Sequence, residues 1–355
     1  MKFKIIQFQN PSIIHPAKVH KMNVKLVNLT ANELPLPNEY FTPASYSYDL
    51  DNGLIVGNRS CLVEGQIYID TPAEWNRQEF LSYITRVKKT HTREFSFISD
   101  YSEESGEGVL QIPRPYIHIE EDIFFCGCVE YWNFGFFLTV LMQKIFIALT
   151  IDSARPILVP VGSAWQVTLL KVFFPKANLI FYDPSQVVSF ARATVIGWPG
   201  FGFHIQHDYI NYLQAIVESG DMDGAVDRPR ICFARRDGQY AKRFEMTKLL
   251  SEYLMSQRYV ALYPELLPPD KIAKMVSGSK SVILDSGSAL FNLVFAKPKV
   301  NVTLFESRTE FLLNHSRFLN SCGMNSQVLF VDPSSRLSKV KMYIPGVENS
   351  QHSQL

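Results

Sequence analysis

The sequence predicts an α/β protein of two domains, the second of which is doubly wound and Rossmann-like. Strand-like and helix-like segments alternate regularly from Arg230 to Val331, which is typical of a parallel sheet covered by helices. A shorter alternation of the same kind follows Asn133. The length of 355 residues is large for one core and suits two.

The domain boundary is expected in the segment from Gly220 to Pro229. This segment is rich in Gly and Asp, and it separates a predicted helix from a new strand. We therefore divide the chain into an N-terminal domain, 1–225, and a C-terminal Rossmann-like domain, 226–355.

The N-terminal domain is predicted to change from β-rich chain to an alternation of strands and helices. Thr71 to Lys88 begins like a helix, with an N-cap Thr followed by Pro and Glu. The acidic, Ser/Gly-rich segment 101–108 is expected to be a loop. The predicted strands are Cys61 to Ile69, Ile117 to Val129, Pro156 to Val161 and Asn178 to Tyr182. The other predicted helices are Gly135 to Leu149, Ala164 to Phe173 and Asp208 to Val217.

The C-terminal domain has the more regular pattern. Its predicted strands are Arg230 to Ala234, Tyr259 to Tyr263, Ser281 to Asp285, Val300 to Phe305 and Val328 to Val331. Its predicted helices are Lys242 to Ser256, Pro269 to Val276, Ser288 to Ala296 and Glu310 to Asn320. Ligands of doubly wound folds bind at the carboxyl ends of strands, where the strand order reverses. The residues directly after each strand are therefore the candidate site.

Composition narrows the classes of partner. A formal net charge of +1 creates no global field that would attract nucleic acid, so no nucleic-acid partner is expected.

Met1 to Ile6 has no signal-peptide core. Gln143 and Lys144 interrupt the most apolar window, Phe134 to Ile151, and its unbroken part is shorter than the about 20 residues of a bilayer span. We expect a buried core helix there, no transmembrane segment, and a cytoplasmic location.

The cysteines predict neither a disulfide framework nor a zinc site. Their number is odd, no two of them form a CxxC pair, and reduced thiols suit the cytosol. They are Cys61, Cys126, Cys128, Cys232 and Cys322. The sequence also lacks an Asp-x-Asp pair after a convincing strand. Neither a bound metal nor a cofactor is expected.

Two arginines follow the first strand of the C-terminal domain. Arg235 comes directly after the strand, and Arg243 opens the next predicted helix. Guanidinium groups beside the N–H donors of a helix N-terminus suit a diphosphate, because arginine binds phosphate oxygens in a bidentate fashion. The alternative is a solvated basic turn, which composition alone favours.

A turn of small residues follows the third strand of this domain. Small residues let a phosphate approach the backbone N–H groups closely. The alternative, of equal weight, is a tight packing turn. The candidate ligand-binding residues here are Ser286, Gly287, Ser288, Ala289 and Asn292.

Acidic residues follow two further strands. Glu306 directly follows the fourth strand, where a carboxylate can bind sugar or ribose hydroxyls. Glu265 lies in the turn after the second strand, where backbone groups could read the edge of a base. Taken singly, a surface carboxylate and a plain loop are the more conservative interpretations.

Together these stretches resemble glycosyltransferase family 61, which includes capsular-polysaccharide transferases. The family pattern is a strand ending in Arg, an Arg-x-x-x-Asn segment, a Pro-Glu turn, a strand leading into His-Gly-Ala-Gly-Leu-Thr-Asn, and a strand ending in Glu. The matching stretches here are RICFARRDGQYAKRFEMT, YPELLPPDKIAKM, VILDSGSALFNLVFAKP and VNVTLFE, in the same order between Arg230 and Gly323. Upstream, NFGFFL at 133–138 is similar to the family's Asn-Tyr-x-His-Phe-Leu.

The chain departs from the family pattern at several positions. Family His, acidic, His, Gly and Asn residues are replaced by Phe136, Val140, Ser286, Ala289 and Thr247 respectively. The residues kept are Arg235, Arg243, Gly287, Asn292 and Glu306. The donor-binding half therefore looks preserved, whereas positions suited to a base or to acceptor contacts are altered.

The resemblance implies a GT-B-like α/β architecture, in which two Rossmann-like domains face each other across a cleft. The C-terminal domain would hold a nucleotide sugar, expected to be a UDP-sugar, and the N-terminal domain a glycan or lipid-linked glycan acceptor. The reaction would be inverting and metal-independent, with arginines stabilising the leaving diphosphate. The acceptor side would include Asn133, and the candidate general bases are Glu130 and His204.

Three alternatives stay open at this point. The altered positions allow a catalytically silent homologue that still binds a nucleotide sugar. The domain pattern also fits another GT-B-like enzyme, such as a polysaccharide pyruvyl transferase. Finally, a lipid-linked acceptor would bring the protein into peripheral contact with the inner membrane.

Overall fold

The computed structural model of the chain describes residues 2–7, 12–28, 36–42, 44–70, 77–90, 98–102, 104–112, 117–197, 204–219, 229–234 and 252–331. The chain divides into two compact units, Met1–Val19 with Phe41–His204, and His20–Tyr40 with Ile205–Leu355. Of the predicted linker, Gly220 to Pro229, residues 220–228 lie outside the described residues, and the predicted limits at 225 and 226 stay a prediction. Strands β1–β19 and helices α1–α6 are numbered below in chain order.

The first unit contains a mixed sheet of 11 strands. They are β1 (Lys2–Gln7), β2 (Ser12–His15), β6 (Ser45–Val56), β7 (Ser60–Val63), β8 (Gln66–Ile69), β9 (Ile98–Ser99), β10 (Glu107–Leu110), β11 (Ile117–Phe125), β12 (Ile157–Pro160), β13 (Leu179–Tyr182) and β14 (Val187–Ile196). Along the sheet the order is β13-β12-β11-β14-β6-β7-β8-β1-β10-β9, with β2 beside β6. Separately, β3 (Lys18–Lys21) and β5 (Glu39–Thr42) form a two-stranded sheet.

One part of this large sheet has Rossmann topology. The four strands β13-β12-β11-β14 are parallel, and in chain order they run third, second, first, fourth. This is the strand order of half a Rossmann sheet, with its reversal between β11 and β14, although residues 183–186, which join β13 to β14, contain no helix. Strand β6 then pairs antiparallel with β14 and starts the β-rich remainder.

The predicted strand from Cys61 to Ile69 is wrong, because two strands occupy this stretch. β7 and β8 are joined by a two-residue turn in which Glu64 has φ 49° and Gly65 has φ 76°. Two consecutive positive φ values belong to a tight hairpin turn whose twist matches the flanking strands. The Glu-Gly pair was the signal for this hairpin.

The sequence did not predict β6, β10 or β14. In β14, polar residues interrupt the apolar run: the Ser189 hydroxyl donates to the carbonyl of Ile117, and Arg192 contacts Asp51 and Asp122. These polar groups find partners on neighbouring strands, so they sit in a sheet without exposing unpaired donors. The expected loop at 101–108 is partly wrong, since its end belongs to β10.

Three helices belong to the first unit. They are α1 (Arg77–Thr90), α2 (Phe134–Ile151) and α3 (Ala164–Phe173). The apolar residues of α1 pack on β7 and β8 through Phe80, Leu81 and Ile84. Residues Phe137–Leu141 of α2 form a π-helical turn, a feature that often marks functional sites. By length and composition α2 could cross a membrane, and 67% of it is buried inside the protein.

The second unit contains a parallel sheet of six strands. They are β4 (Lys25–Asn28), β15 (Arg230–Phe233), β16 (Tyr259–Leu262), β17 (Ser281–Asp285), β18 (Asn301–Glu306) and β19 (Asn325–Phe330). Their order is β16-β15-β17-β18-β19-β4. The last five strands along the chain therefore form a 2-1-3-4-5 sheet, which is the flavodoxin-like version of a doubly wound fold. This confirms the α/β class and the parallel sheet predicted for the C-terminal half.

An N-terminal segment completes the edge of this second sheet. β4 pairs in parallel with β19, from Gln327 with Lys25 to Phe330 with Asn28. The side chain of Asn320 accepts from the backbone N–H of Asn23 at 2.7 Å and donates to the carbonyl of Lys21 at 3.0 Å. β4 thus covers the edge of β19, which would otherwise expose unpaired backbone N–H and C=O groups.

The described helices of the second unit agree with prediction except after β17, and residues 242–251 of the predicted helix Lys242 to Ser256 lie outside the described residues. These helices are α4 (His207–Ser219), α5 (Pro269–Ser277) and α6 (Thr309–Ser321), and residues 252–256 are also helical. The predicted α-helix from Ser288 to Ala296 is instead a 3₁₀ helix, Ser288–Phe295. Its N–H groups bond three residues back, as from Leu290 to the carbonyl of Gly287 at 3.0 Å.

Candidate functional site

The strand order of the second sheet reverses between β15 and β17. From β15 the chain goes to β16 on one side, then crosses back to β17 on the other side. The carboxyl ends of β15 and β17 are therefore neighbours at a topological switch point, where doubly wound proteins bind ligands. The predicted turn of small residues begins at this point, because β17 ends at Asp285.

Gly287 gives the turn a conformation that other residues avoid. Its φ is 148° and its ψ −172°, a region open essentially to glycine alone. The preceding residue, Ser286, is buried, and its N–H reaches the carbonyl of Phe305 at 2.9 Å on the adjacent strand. The turn is thus held to β18 while its backbone stays accessible at a residue without a side chain.

The remaining predicted residues of this segment lie on the 3₁₀ helix. Ser288 is exposed and Ala289 is half-buried. Asn292 is fully buried and donates its amide to the carbonyl of Ala289 at 3.0 Å. Among the described residues, no donor reaches the amide oxygen of Asn292. Asn292 therefore stabilises the first turn of the segment from inside.

Glu306 is the last residue of β18, one residue beyond the predicted strand end, and its carboxylate is completely buried. One oxygen, Oε1, accepts from the backbone N–H groups of Ser307 and Arg308, both at 3.0 Å. The other, Oε2, lies 2.6 Å from Nδ1 of His315 on α6. The carboxylate is thereby committed to groups of its own loop and of the following helix.

The surroundings of Glu306 favour its charged form. Burial by itself raises the pKa of Glu306. The hydrogen bond and charge of His315, together with the backbone N–H and guanidinium of Arg308, lower this pKa by more than burial raises it. The net result is a pKa below the ordinary value for glutamate. Glu306 is therefore an anion at neutral pH, and its charge holds the guanidinium of Arg308 beside it.

Arg308, which sequence reasoning missed, joins Glu306 to the turn of small residues. Its Nε lies 3.5 Å from Oε1 of Glu306, and its Nη2 lies 3.4 Å from the hydroxyl of Ser286. Its guanidinium carbon lies 4.0 Å above the ring of Phe311. The sequence signal was only a basic residue two positions after a strand-end Glu, which many loops contain.

The other predicted residues of this half are only partly described. Glu265 lies in a 3₁₀ turn, Pro264–Leu266, directly after β16, and its side chain lies outside the described residues. Arg235 and Arg243 also lie outside them. The described chain reaches Ala234, whose N–H donates to the carbonyl of Leu262 at the end of β16.

A second cluster lies at the switch point of the first sheet, at the end of β11. Glu130 has a φ of 45°, and its carboxylate accepts from the side-chain amide of Asn133 at 3.2 Å. Asn133 is the N-cap of α2 and accepts from the N–H of Gly135 at 2.9 Å. The structure thus brings two predicted residues, the candidate base and the acceptor-side Asn, into direct contact.

Aromatic side chains border this second cluster. Trp132 is 46% exposed and meets Tyr131 edge to face at 5.3 Å. The carbonyl of Tyr131 accepts from the side chain of Gln166 at 2.6 Å, which ties the loop to α3. A half-exposed indole beside polar groups is a surface on which a sugar ring can stack.

His204, the other candidate base, precedes α4 and contacts α2 at a different place. It is 7% exposed, and its carbonyl accepts from the side chain of Gln143 at 3.3 Å. Gln143 comes ten residues after Asn133, which is about 15 Å along a helix axis. The two candidate bases are therefore attached to different parts of the same helix.

A buried ion pair lies beside the backbone of Gly127, two residues after the end of β11. Lys144 contacts the Asp70 carboxylate and donates to the carbonyl of Gly127 at 2.7 Å. Both side chains are almost wholly buried. Burial raises the pKa of the neighbouring Cys126 thiol to about 12, with Lys144 opposing and Asp70 adding to the shift. This cysteine is a buried neutral thiol and no candidate nucleophile.

Two of the altered family positions lie close to this second cluster. Phe136 and Val140 are on the first turns of α2; Phe136 is half-buried and Val140 is buried. Neither side chain can carry a proton or accept a hydrogen bond. The polar chemistry near the start of α2 therefore comes from the loop that precedes it, through Glu130 and Asn133.

The comparison with known proteins identifies the family. The sequence profile of Glycosyltransferase 61 matches residues 76–303, which is more than half of the chain and includes parts of both units. The chain belongs to glycosyltransferase family 61. This confirms the resemblance inferred from its motifs, although no curated protein matches the chain.

Family membership makes the protein a glycosyltransferase, an enzyme that moves a sugar from a donor to a glycan acceptor. The match includes the Glu130–Asn133 contact and the turn at Gly287, and it ends just before Glu306. Among the residues that the structure describes, no three His, Cys, Asp or Glu side chains gather as metal ligands.

Proposed function

We propose that this glycosyltransferase takes its sugar from a nucleoside diphosphate sugar, most simply a UDP-sugar. The observation that supports this proposal is the turn from Asp285 to Ser288, with its glycine-only residue, at the strand-order reversal of the doubly wound sheet. Backbone N–H groups at such a turn bind phosphate oxygens. In the proposal Arg235 and Arg243 supply the positive charge.

We infer a GT-B arrangement, with two Rossmann-like domains that face each other across a cleft. The 2-1-3-4-5 sheet of the second unit and the four-stranded Rossmann half of the first support this inference. The second unit would bind the donor and the first the acceptor. Each unit would then use the switch point of its own sheet.

The proposed reaction is a single displacement at the anomeric carbon. The acceptor hydroxyl oxygen forms a bond to that carbon, the carbon–oxygen bond to the diphosphate breaks, and the electron pair leaves with the diphosphate. The hydroxyl proton passes to Glu130, which Asn133 orients. Inversion follows from attack on the face opposite the leaving group, and arginines stabilise the leaving charge without a metal.

The proposed biological setting is the synthesis of a surface or capsular polysaccharide in the cytoplasm. Buried thiols, which form no disulfide at any of the five cysteines, suit a reducing compartment. A lipid-linked acceptor would place the enzyme peripherally at the inner membrane. Fractionation of cells, before and after a high-salt wash, tests both locations.

Titration calorimetry tests the donor proposal. We expect the chain to bind UDP, and expect Arg235→Ala and Arg243→Ala each to weaken that binding by about 1.5–3 kcal/mol, as for a charge-assisted hydrogen bond. Lys280→Ala is the control, because Lys280 is exposed at the amino end of β17. The proposal fails if the chain binds no nucleoside diphosphate, and the two arginines are misassigned if both variants bind UDP normally.

A second candidate is a silent homologue that binds the nucleotide sugar without transferring it. The observation that favours it is the apolar character of Phe136 and Val140, where the family has ionisable residues. The same titration, run beside an acceptor assay that detects the transferred sugar, separates the two candidates. Binding without transfer to any of a panel of glycans supports the silent homologue.

A further inference from the structure

Arg308 is placed to bind an anion at the strand ends of the second sheet. It follows β18 directly and is 23% exposed, so its guanidinium is neither free in solvent nor enclosed. Three contacts fix it: Glu306 at Nε, Ser286 at Nη2 and the ring of Phe311 below. None of the described residues accepts from Nη1. A guanidinium with N–H groups to spare can make the paired hydrogen bonds that phosphate oxygens prefer.

Both oxygens of the Glu306 carboxylate are engaged within the protein. Oε1 takes the backbone N–H groups of Ser307 and Arg308 and faces Nε of the same Arg308. Oε2 is bonded to His315. With zero exposure and both oxygens engaged, Glu306 has no surface to offer a ligand. It acts through Arg308 and is a positioning residue.

The arginine contacts the turn after β17, where Gly287 allows close approach to the backbone. Asp285 and Phe305 are paired in register, so the turn after β17 and the loop after β18 leave the sheet side by side. Nη2 of Arg308 touches the hydroxyl of Ser286, whose neighbour Gly287 has the glycine-only φ of 148°. The guanidinium of Arg308 and the accessible backbone of Gly287 therefore lie together at the carboxyl ends of β17 and β18.

We propose that Arg308 binds the diphosphate of the nucleoside diphosphate donor and stabilises its charge when the sugar leaves. This rests on the proposed function and adds a residue that the family pattern did not indicate. Glu306, with His315 behind it, holds the guanidinium in its binding orientation, so little side-chain freedom is lost when the ligand arrives. The ligand class is a pyrophosphate ester, and residues other than Arg308 bind the base and the sugar.

The test compares UDP with uridine on the full-length protein. We expect Arg308→Gln to weaken UDP binding roughly ten- to hundredfold, which corresponds to one charge-assisted contact, and to leave uridine binding unchanged. Arg308→Lys keeps the charge without the fork and should fall between. The control is Arg230→Gln. Arg230 is the first residue of β15 and lies at the amino ends of the strands, whereas Arg308 follows the carboxyl end of β18. Calorimetry serves for UDP and an NMR titration for uridine.

Two outcomes would overturn the inference while the proposed function stands. One is wild-type affinity of Arg308→Gln for UDP. The other is an equal loss for UDP and uridine, which would mean that Arg308 only maintains the fold; thermal melting of each variant checks this independently. If the wild-type protein binds neither UDP nor another nucleoside diphosphate, the proposed function and this inference both fall.

Discussion

Nδ1 of His315 lies 2.6 Å from Oε2 of Glu306, and both side chains are almost completely buried. The contact joins the last residue of β18 to the second turn of α6 across a short loop. Phe311 stacks on the imidazole of His315 and also lies under the guanidinium of Arg308. One helix turn therefore supports both the acidic and the basic group of the candidate donor site.

This arrangement predicts an acid-dependent loss of stability that Glu306 controls. Its pKa is lowered in the folded protein, so its contribution is complete above the ordinary glutamate value of about 4.3 and is lost as pH falls through the lower folded value. We expect Glu306→Gln to be about 1–3 kcal/mol less stable than wild type near neutral pH. The difference should shrink below the ordinary pKa.

Urea unfolding at neutral pH and at a series of acidic pH values measures the effect. Glu104→Gln, at an exposed turn, is the matched control and should track wild type throughout. If the Glu306→Gln and wild-type curves run parallel down to the most acidic pH at which the protein folds, the buried carboxylate does not have the lowered pKa described here.

The second half of the fold was predictable because each element carries its own signal. Strands such as Ser281–Asp285 and Asn301–Glu306 are short apolar runs bounded by turn residues, and the residues between them repeat with helical spacing. Local pattern and tertiary structure agree there. The donor-side turn was found by the same logic, since position after a strand places a residue at the carboxyl edge of the sheet.

What the sequence could not give depends on contacts between distant segments. β4 has four residues and no pattern of its own; it becomes a strand because β19, about three hundred residues later, offers an edge. Arg308 is equally hidden. Its role becomes visible only in the folded structure, where the pairing of β17 with β18 places Ser286, 22 residues earlier in the chain, next to the guanidinium of Arg308.

Gly287 is expected to be intolerant of any side chain. A non-glycine residue at its φ of 148° should cost about 1–3 kcal/mol of stability, and Gly287→Ala should also weaken UDP binding. Gly323 is the matched control: its φ is 69°, a Cβ there would meet no atom within 4 Å, and Gly323→Ala should cost about 1–2 kcal/mol without affecting UDP. Melting curves and calorimetry on both variants decide it. Equal UDP affinity of the two variants would argue against ligand contact at the Gly287 turn.

The buried pair of Lys144 and Asp70 should be needed as a pair. Lys144→Met leaves Asp70 buried without its cation, and we expect a loss of about 3–5 kcal/mol. Asp70→Asn should be similarly damaging, whereas the double variant should be more stable than the sum of the two losses implies. Urea unfolding of the four proteins gives the coupling energy. Simple additivity would show that the two charges contribute independently.

Glu130 is predicted to affect turnover and not donor binding. If it accepts the proton of the acceptor hydroxyl, Glu130→Gln should lower kcat by roughly 10²–10⁴ while UDP affinity stays at the wild-type value. Asn133→Ala removes both the amide that contacts Glu130 and the N-cap of α2, so it should reduce kcat less and lower stability by about 1 kcal/mol.

His204→Gln separates this assignment from its rival. His204 is buried and its carbonyl bonds to Gln143, well along α2 from Asn133, so we expect its substitution to leave kcat within a few-fold of wild type. The measurement is initial rates over a range of pH for all three variants with one active acceptor. A large drop for His204→Gln together with normal rates for Glu130→Gln would move the base to the histidine, because a proton acceptor must lie within hydrogen-bond reach of the hydroxyl that attacks.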